Sequence, residues 1–359
     1  MTSMTLHRAA TAPVAGTTRI ADDKAMLRAA VDLTRELSQP KPAIYWADLI
    51  ASAVVGYGAL AVAVTTSSAS VVVVAGIVAM LGLYRAMSFI HEVSHMKHGS
   101  VPHFRLGWNL LVGIPMLIPS FMYEGVHNLH HAKTRYGTVE DPEYLPLALM
   151  KPWTLPLFIV VSALAPVALL FRYAILSPLS VVVPSLRRAI VERYSALAIN
   201  PQFRRRAPEG AAAIYWNRIE AAASIWAIAL VAMVATGVIP LRAFGIAMLI
   251  ASAVAVINQV RTLVAHLWEN EGEPMSVTAQ YLDTVNVPPP SLLPALWAPV
   301  GLRYHALHHL LPSVPYHALG EAHRRLTASL EAESPYHKAS YPGLPGLVWK
   351  IGRSTMGRR

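Results

Sequence analysis

The sequence predicts an all-α integral membrane protein. Of its 359 residues 54% are hydrophobic and only 14% charged, with a mean hydropathy of +0.42, too apolar for an ordinary soluble domain. Its longest apolar runs come in pairs separated by short turns, the pattern of helical hairpins crossing a bilayer. Nine of its 15 histidines stand in three short clusters far apart in the chain, HEVSHMKH from His91, HNLHH from His127 and HALHH from His305.

The N-terminal 40 residues hold no continuous apolar core, and Arg8, Arg19, Lys24, Arg28 and Arg35 interrupt them, so no cleaved signal is expected. Between Asp22 and Leu37, Met26, Ala30, Leu33 and Leu37 recur at helical spacing, as in a helix lying on a bilayer surface. Pro40 and Pro42 end it, which makes 1–42 an N-terminal segment preceding the membrane part.

Residues 43–65 and 69–90 are each long enough to cross about 30 Å of hydrocarbon. Six Lys or Arg residues precede the first run and none lies in the turn, which places the N-terminus in the cytoplasm and returns the chain there at His91. A second pair, 219–239 and 241–264, turns at Gly237 and Pro240 after a loop carrying Arg187, Arg188, Arg193, Arg204, Arg205 and Arg206. All three histidine clusters then share the cytoplasmic face. A single crossing by the apolar stretch 153–183 would separate the second cluster from the third. That stretch, broken by Pro156, Pro166 and Pro178, is therefore expected to be interfacial or re-entrant, with a full hairpin as the alternative. Residues 108–120 are too short to span and are expected near the membrane surface. The polar residues Asn258, Gln259 and Arg261 should face the protein interior.

The chain has no cysteine, which excludes disulfides, thiolate zinc sites, iron–sulfur clusters and a fused rubredoxin. Its net charge of +10 is spread over many loops and fits a membrane topology better than nucleic-acid binding. Histidine is left as the metal ligand. His91, His95 and His98 follow i, i+4, i+7 spacing on one helical face, and each HxxHH motif is expected to converge three rings from one turn. Leaving His98 aside, eight ligands remain: His91, His95, His127, His130, His131, His305, His308 and His309. One zinc takes three or four, so eight imply two metals. HEVSH alone also reads as a zinc protease motif with Glu92 as base, but that leaves both HxxHH clusters unused.

These boxes resemble those of the membrane-bound fatty acid desaturase superfamily, as do GTVEDPEYLPL after the second and HHLLPSVPYHALGEAHRRL at the third. The resemblance covers about residues 44–330 and implies a four-helix transmembrane stem under a cytoplasmic helical cap, a catalytic domain of 43–330 and a cytoplasmic tail of 331–359. It implies two nonhaem iron ions held by the eight box histidines, with O2 as co-substrate. It also implies a ninth ligand, His266 in RTLVAHLWENEG at the end of the fourth span, but no ligand role for His98. His103, His317, His323 and His337 are expected to be structural, with His317 the best placed of them to support a ligand. Glu92, Glu124, Asp141, Glu143 and Asp283 are either partners of ligating imidazoles or surface ion pairs.

An unactivated C–H bond is beyond side-chain acid–base chemistry, whereas two irons can reduce O2 to an oxidant that removes hydrogen. The leading expectation is an oxygen-dependent desaturase acting on a long fatty acid, acyl lipid or thioester, with a lipid or alkane hydroxylase or an alkene-forming decarboxylase as alternatives. Outside enzymology, the rival is a membrane metal-binding or transport protein. Electrons must come from an external donor such as ferredoxin, rubredoxin or a cytochrome with its reductase.

Overall fold

The computed structural model describes residues 20–97 and 99–357. His98 lies outside them. Among the described residues there are helices and isolated β-bridges but no strands.

Helix α1, Lys24–Asp32, starts where the Asp23 carboxylate accepts the Met26 N–H, an N-cap that satisfies one of the helix's free donors. Its apolar stripe does not meet a bilayer as expected. Met26 and Ala30 are buried against the helix Leu319–Ser329, in a cluster with Leu319, Ala322 and Leu326, because that helix offers a matching apolar face.

Helices α2, Pro42–Thr65, and α3, Ala69–His95, form the expected hairpin. Their closest approach is backbone to backbone: a Cβ on Gly82 would lie 2.8 Å from Gly56 Cα, and one on Gly56 would lie 2.8 Å from Leu83 N. Small residues at this crossing permit the close packing by which helices associate in a bilayer. At the other end of the hairpin Tyr45, Phe89, Phe104 and Tyr316 pack edge to face, fixing the last turns of α3.

Among the described residues five helices are long and apolar enough to cross a membrane: α2, α3, α4 over Thr154–Leu179, α5 over Gly210–Ala235 and α6 over Leu241–Leu263. Length and composition therefore add a candidate to the four expected and give no hairpin within α4. The contacts distinguish α4 from the others. Arg242, at the start of α6, donates to the Thr66 carbonyl at 2.8 Å, so α6 begins at the α2–α3 turn and ends at the histidine clusters. In α4, Phe158 meets Trp268 beyond the end of α6, and Ala163 accepts from Ser252 halfway along it. Tyr173 then reaches Met122, Arg172 pairs with Glu220, and Leu197 and Asn200 bond the backbone at Met122 and Asp141. Helix α4 thus starts at the box-bearing end, meets α5 about 15 Å along that helix, and the chain that follows it is back at the box-bearing end by Leu197 and Asn200.

Residues 104–120 go deeper than expected. The Leu111 carbonyl accepts from Tyr57 and the Pro115 carbonyl from Trp226, each donor about 20 Å along its helix from the box-bearing end at 1.5 Å per residue. The Asn109 side chain closes this re-entrant loop by bonding Ser120 N and Oγ, Tyr215 and the Arg105 carbonyl, and so satisfies polar groups away from water. Residues past 330 pack into the same body: Tyr336 and Ala339 are buried with the α1 cluster, and Leu347 and Ile351 beside Trp268.

The α2–α3 contact is testable by size. Gly82→Ala should lower the thermal midpoint of the detergent-solubilised protein, since overpacking of this kind costs about 1–3 kcal/mol. Gly58→Ala, where an added methyl meets nothing within 4 Å, should leave it unchanged or slightly raised. Equal midpoints would show that the hairpin does not depend on the close approach.

Candidate metal centre

Nine histidines come together at the box-bearing end in two groups. His91, His95, His127, His131 and His308 form the first, and His130, His266, His305 and His309 the second. Within each group one ring nitrogen per residue lies within 4.8 Å of all the others. These are the eight box histidines together with His266.

The partition corrects the expectation that each HxxHH motif converges on one point. A helix turns about 100° per residue, so the last histidine of HxxHH lies about 40° to one side of the first and the middle one about 60° to the other, leaving these two about 100° apart. Box two gives its i, i+4 pair, His127 and His131, to the first group and His130 to the second. Box three does the reverse, giving His305 and His309 to the second and His308 to the first. Each motif therefore serves both groups, and α3 adds His91 and His95 to the first. His266 enters from the turn after α6, where Leu267 N–H donates to the Asp283 carbonyl and Val285 N–H to the Ala265 carbonyl.

The rings face one another through their Nε2 atoms. His131 is 3.0 Å from His127 and 3.2 Å from His308, and His308 is 3.0 Å from His95. In the second group His305 is 3.0 Å from His266 and 3.2 Å from His309. Behind them, His127 Nδ1 meets Glu143 at 2.8 Å and the Tyr123 hydroxyl at 2.8 Å. His130 Nδ1 meets both Asp141 oxygens, at 2.9 and 3.0 Å. Asp141 is held in turn by the N–H groups of Gly137 and Glu143, and Gly137 has a φ of +71° with its Cα against Asn270, a place for glycine alone. His266 Nδ1 meets the Tyr136 hydroxyl at 2.9 Å, and Tyr136 donates to Asp283 at 2.7 Å.

This network assigns the tautomers. A carboxylate only accepts, so Nδ1 of His127 and His130 carries the proton and Nε2 offers a lone pair. Burial first, and neighbouring histidines second, hold His127, His131, His266, His305, His308 and His309 well below their usual range. For His130 burial acts downward, but Asp141, Glu143 and Asp283 outweigh it and the net direction is up. Burial pushes Glu143 and Asp283 up to about 7. Each neutral ring has a single N–H, yet His131, His308 and His305 each set one Nε2 against two others at 3.0–3.2 Å, a crowding that a cation between the rings relieves. Among the described residues both nitrogens of His91, and Nδ1 of His131, His305 and His308, are buried with no hydrogen-bond partner. Such groups are costly unless something unseen partners them. The donor set fits two borderline first-row cations, which would also draw Glu143 and Asp283 back to their charged forms.

Of the five acidic residues weighed from sequence, Asp141 and Glu143 bond ring nitrogens and Asp283 acts through Tyr136. Glu92 accepts from the Tyr45 hydroxyl and Tyr316 N–H, with His91 Nδ1 3.7 Å away. Glu124 pairs with Arg105 at 2.6 Å and touches no imidazole. His317 does not support a ligand; its Nε2 accepts from Lys41 N–H at 3.2 Å. His323 pairs with Tyr336. Tyr123 and Tyr136 were not singled out from sequence. Tyr123 stands four residues before His127 and stacks on its ring, a local signal, whereas Tyr136 reaches His266 across 130 positions.

Elemental analysis of the purified protein should give about two first-row metals per chain. Asp141→Asn should weaken metal retention by about 10–100-fold, the usual effect of losing a carboxylate behind a ligating imidazole. His266→Ala should lose one metal, and His337→Ala should keep both. A single metal per chain, or full occupancy after His266→Ala, would refute the two-group site.

Comparison with known proteins agrees with this geometry. The fatty acid desaturase family model matches residues 67–341, which include all nine histidines. A ceramide hydroxylase of Caulobacter vibrioides (strain NA1000 / CB15N) is 50% identical over 326 residues, covering 91% of this chain and 93% of that protein. No solved structure matches. Paired histidine groups at the end of apolar helices, in a chain matched by the family model over most of its length, make this protein a member of the fatty acid desaturase family and a membrane di-iron oxidoreductase.

Proposed function

We propose that the chain is a lipid hydroxylase that transfers one atom of O2 into a ceramide-type substrate. The observation that carries this reading is the 50% identity to a ceramide hydroxylase across 91% of the chain. The boxes alone favour desaturation, but the same ligands serve either reaction, and the relative tips the choice to hydroxylation.

In this reading His91, His95, His127, His131 and His308 hold one iron and His130, His266, His305 and His309 the other. When bound, the irons supply the redox chemistry with O2 that no side chain provides. Hydroxylation consumes O2, two electrons and two protons and yields the alcohol and water. A chain without cysteine takes those electrons from an external carrier, a ferredoxin, a rubredoxin or a cytochrome with its reductase. The protein's own share is positional. Asp141, Glu143 and the Tyr136–Asp283 pair fix ring orientation and tautomer, and the surrounding apolar helices keep water from the reacting carbon.

The same reading gives four spans, α2, α3, α5 and α6, with α4 re-entrant and the histidine groups under a cap on the cytoplasmic side. The parity supports it. Between His95 and His266 lie three candidate spans, and the clusters can meet only if an even number of them crosses. Helix α4 starts at the box-bearing end and the chain is back there by Leu197, with no other candidate span between among the described residues, so α4 is the one that returns.

Cysteine labelling can check the topology in a chain that has none. Probes at Ser67 and Thr236 should react from outside intact cells, and those at Arg135, Val181 and Arg205 only after permeabilisation. External reaction at Val181 would make α4 a true span and sink the four-span arrangement.

For the reaction, purified enzyme supplied with ceramide, reductant, an electron carrier and ¹⁸O2 should give a product carrying one ¹⁸O atom. A product lacking two hydrogens and carrying no new oxygen would restore the desaturase reading.

A further inference from the structure

One charge at the box-bearing end of α6 is not used by the metal groups. Arg261 is 9% exposed, and its Nε has no hydrogen-bond partner among the described residues. Its hydrogen-bonding neighbour is the Tyr84 hydroxyl on α3, which itself donates to the Trp297 carbonyl at 2.9 Å. That relay is neutral, and no ion pair to Arg261 occurs among the described residues. The guanidinium is felt at both metal groups, by His91 and the His127 partner Glu143 at the first and by His266 and His305 at the second, so it stands between them. A buried, unpaired charge at the end of a membrane helix calls for a partner and marks a functional position.

An apolar groove lies about two helical turns from it along the same two helices. On the lipid side α3 and α6 leave a groove of about 230 Å³, lined only by apolar residues, among them Gly76 and Met80 on α3 and Ile250 and Ala253 on α6. Steps of four residues keep to one helical face, and Gly76, Met80, Tyr84 on one helix and Ala253, Ile257, Arg261 on the other run from the groove to the guanidinium. The segment Pro294–Trp297 packs on both helices above it, with Leu292, Leu293 and Leu296 exposed beside it.

We infer that Arg261 anchors the polar end of the lipid substrate. Its Nε–H donates to an amide carbonyl or hydroxyl oxygen, the hydrocarbon tail lies down the α3–α6 groove, and the reacting carbon is one near the amide and not near the chain's far end. The position of reaction rests on the hydroxylase reading; the anchoring does not.

Lipid retention by the purified, metal-loaded protein tests this. Arg261→Gln and Arg261→Lys are compared with wild type for metal content, co-purified lipid and binding of a radiolabelled N-palmitoyl long-chain base. Both variants should keep their metals and bind the probe at least about tenfold more weakly, as loss of a hydrogen bond to a charged group implies. Gly76→Phe, whose added Cβ meets only Ile250 at 3.9 Å, should weaken the palmitoyl probe more than an N-acetyl analogue. Fragmentation of the product should place the new hydroxyl in the half of the chain next to the amide. Unchanged affinity in both Arg261 variants, or hydroxylation in the far half, overturns the anchor. Loss of metal in both also overturns it and assigns Arg261 to support of the histidines. If wild type fails to bind the N-acyl probe, the ceramide reading falls and co-purified lipid decides: less on the variants than on wild type upholds the anchor, and equal amounts overturn it.

Discussion

The crowding of imidazole nitrogens, Nε2 against Nε2 at about 3 Å, is the constraint on which the rest of the molecule depends. Carboxylates behind His127 and His130 fix the proton on Nδ1 of those two rings, so their Nε2 atoms turn toward the neighbouring rings as acceptors. Such an arrangement is held open by the scaffold and closed by cations. The aromatic cluster around Tyr45, the bridges that seat His266 and the turn at Gly137 all hold rings in positions they would not choose alone.

The membrane part answers the same demand. Ligands separated by more than 200 positions, from His91 to His309, must end on one side of the bilayer. The two hairpin turns lie together at the opposite end, as the Arg242–Thr66 contact shows. Irregular backbone is tolerated within such a bundle only where side chains satisfy it, which is the work of Asn109, Tyr57 and Trp226 on the re-entrant loop. Glu220 on α5 takes the guanidinium groups of Arg172 in α4 and of Arg187 after it.

How much of this was legible in the sequence follows the range of each interaction. The box histidines were readable because helical spacing of three and four residues brings them together locally, and His266 because a span ends beside it. The division of each HxxHH motif between two groups was equally implicit in 100° per residue, yet convergence on one point was expected, since spacing alone does not say that two centres flank the helix. Tyr136 and the silence of His317 were not legible; both depend on which distant loop arrives. The stripe on α1 reads the same whether lipid or the helix Leu319–Ser329 covers it, and α4 has the composition of a span while the chain before and after it is tied to one side.

Helix α3 joins two functions in one rigid body. Its waist at Gly82 touches the backbone of α2, and its tip carries His91 and His95. Thirteen residues separate Gly82 from His95, a lever arm of about 20 Å, so a tilt of roughly 3° about the waist carries the His95 ring through about 1 Å. Helices accommodate changes in hydrocarbon thickness by tilting. The thickness of the surrounding bilayer is thereby linked mechanically to the geometry of the first metal group.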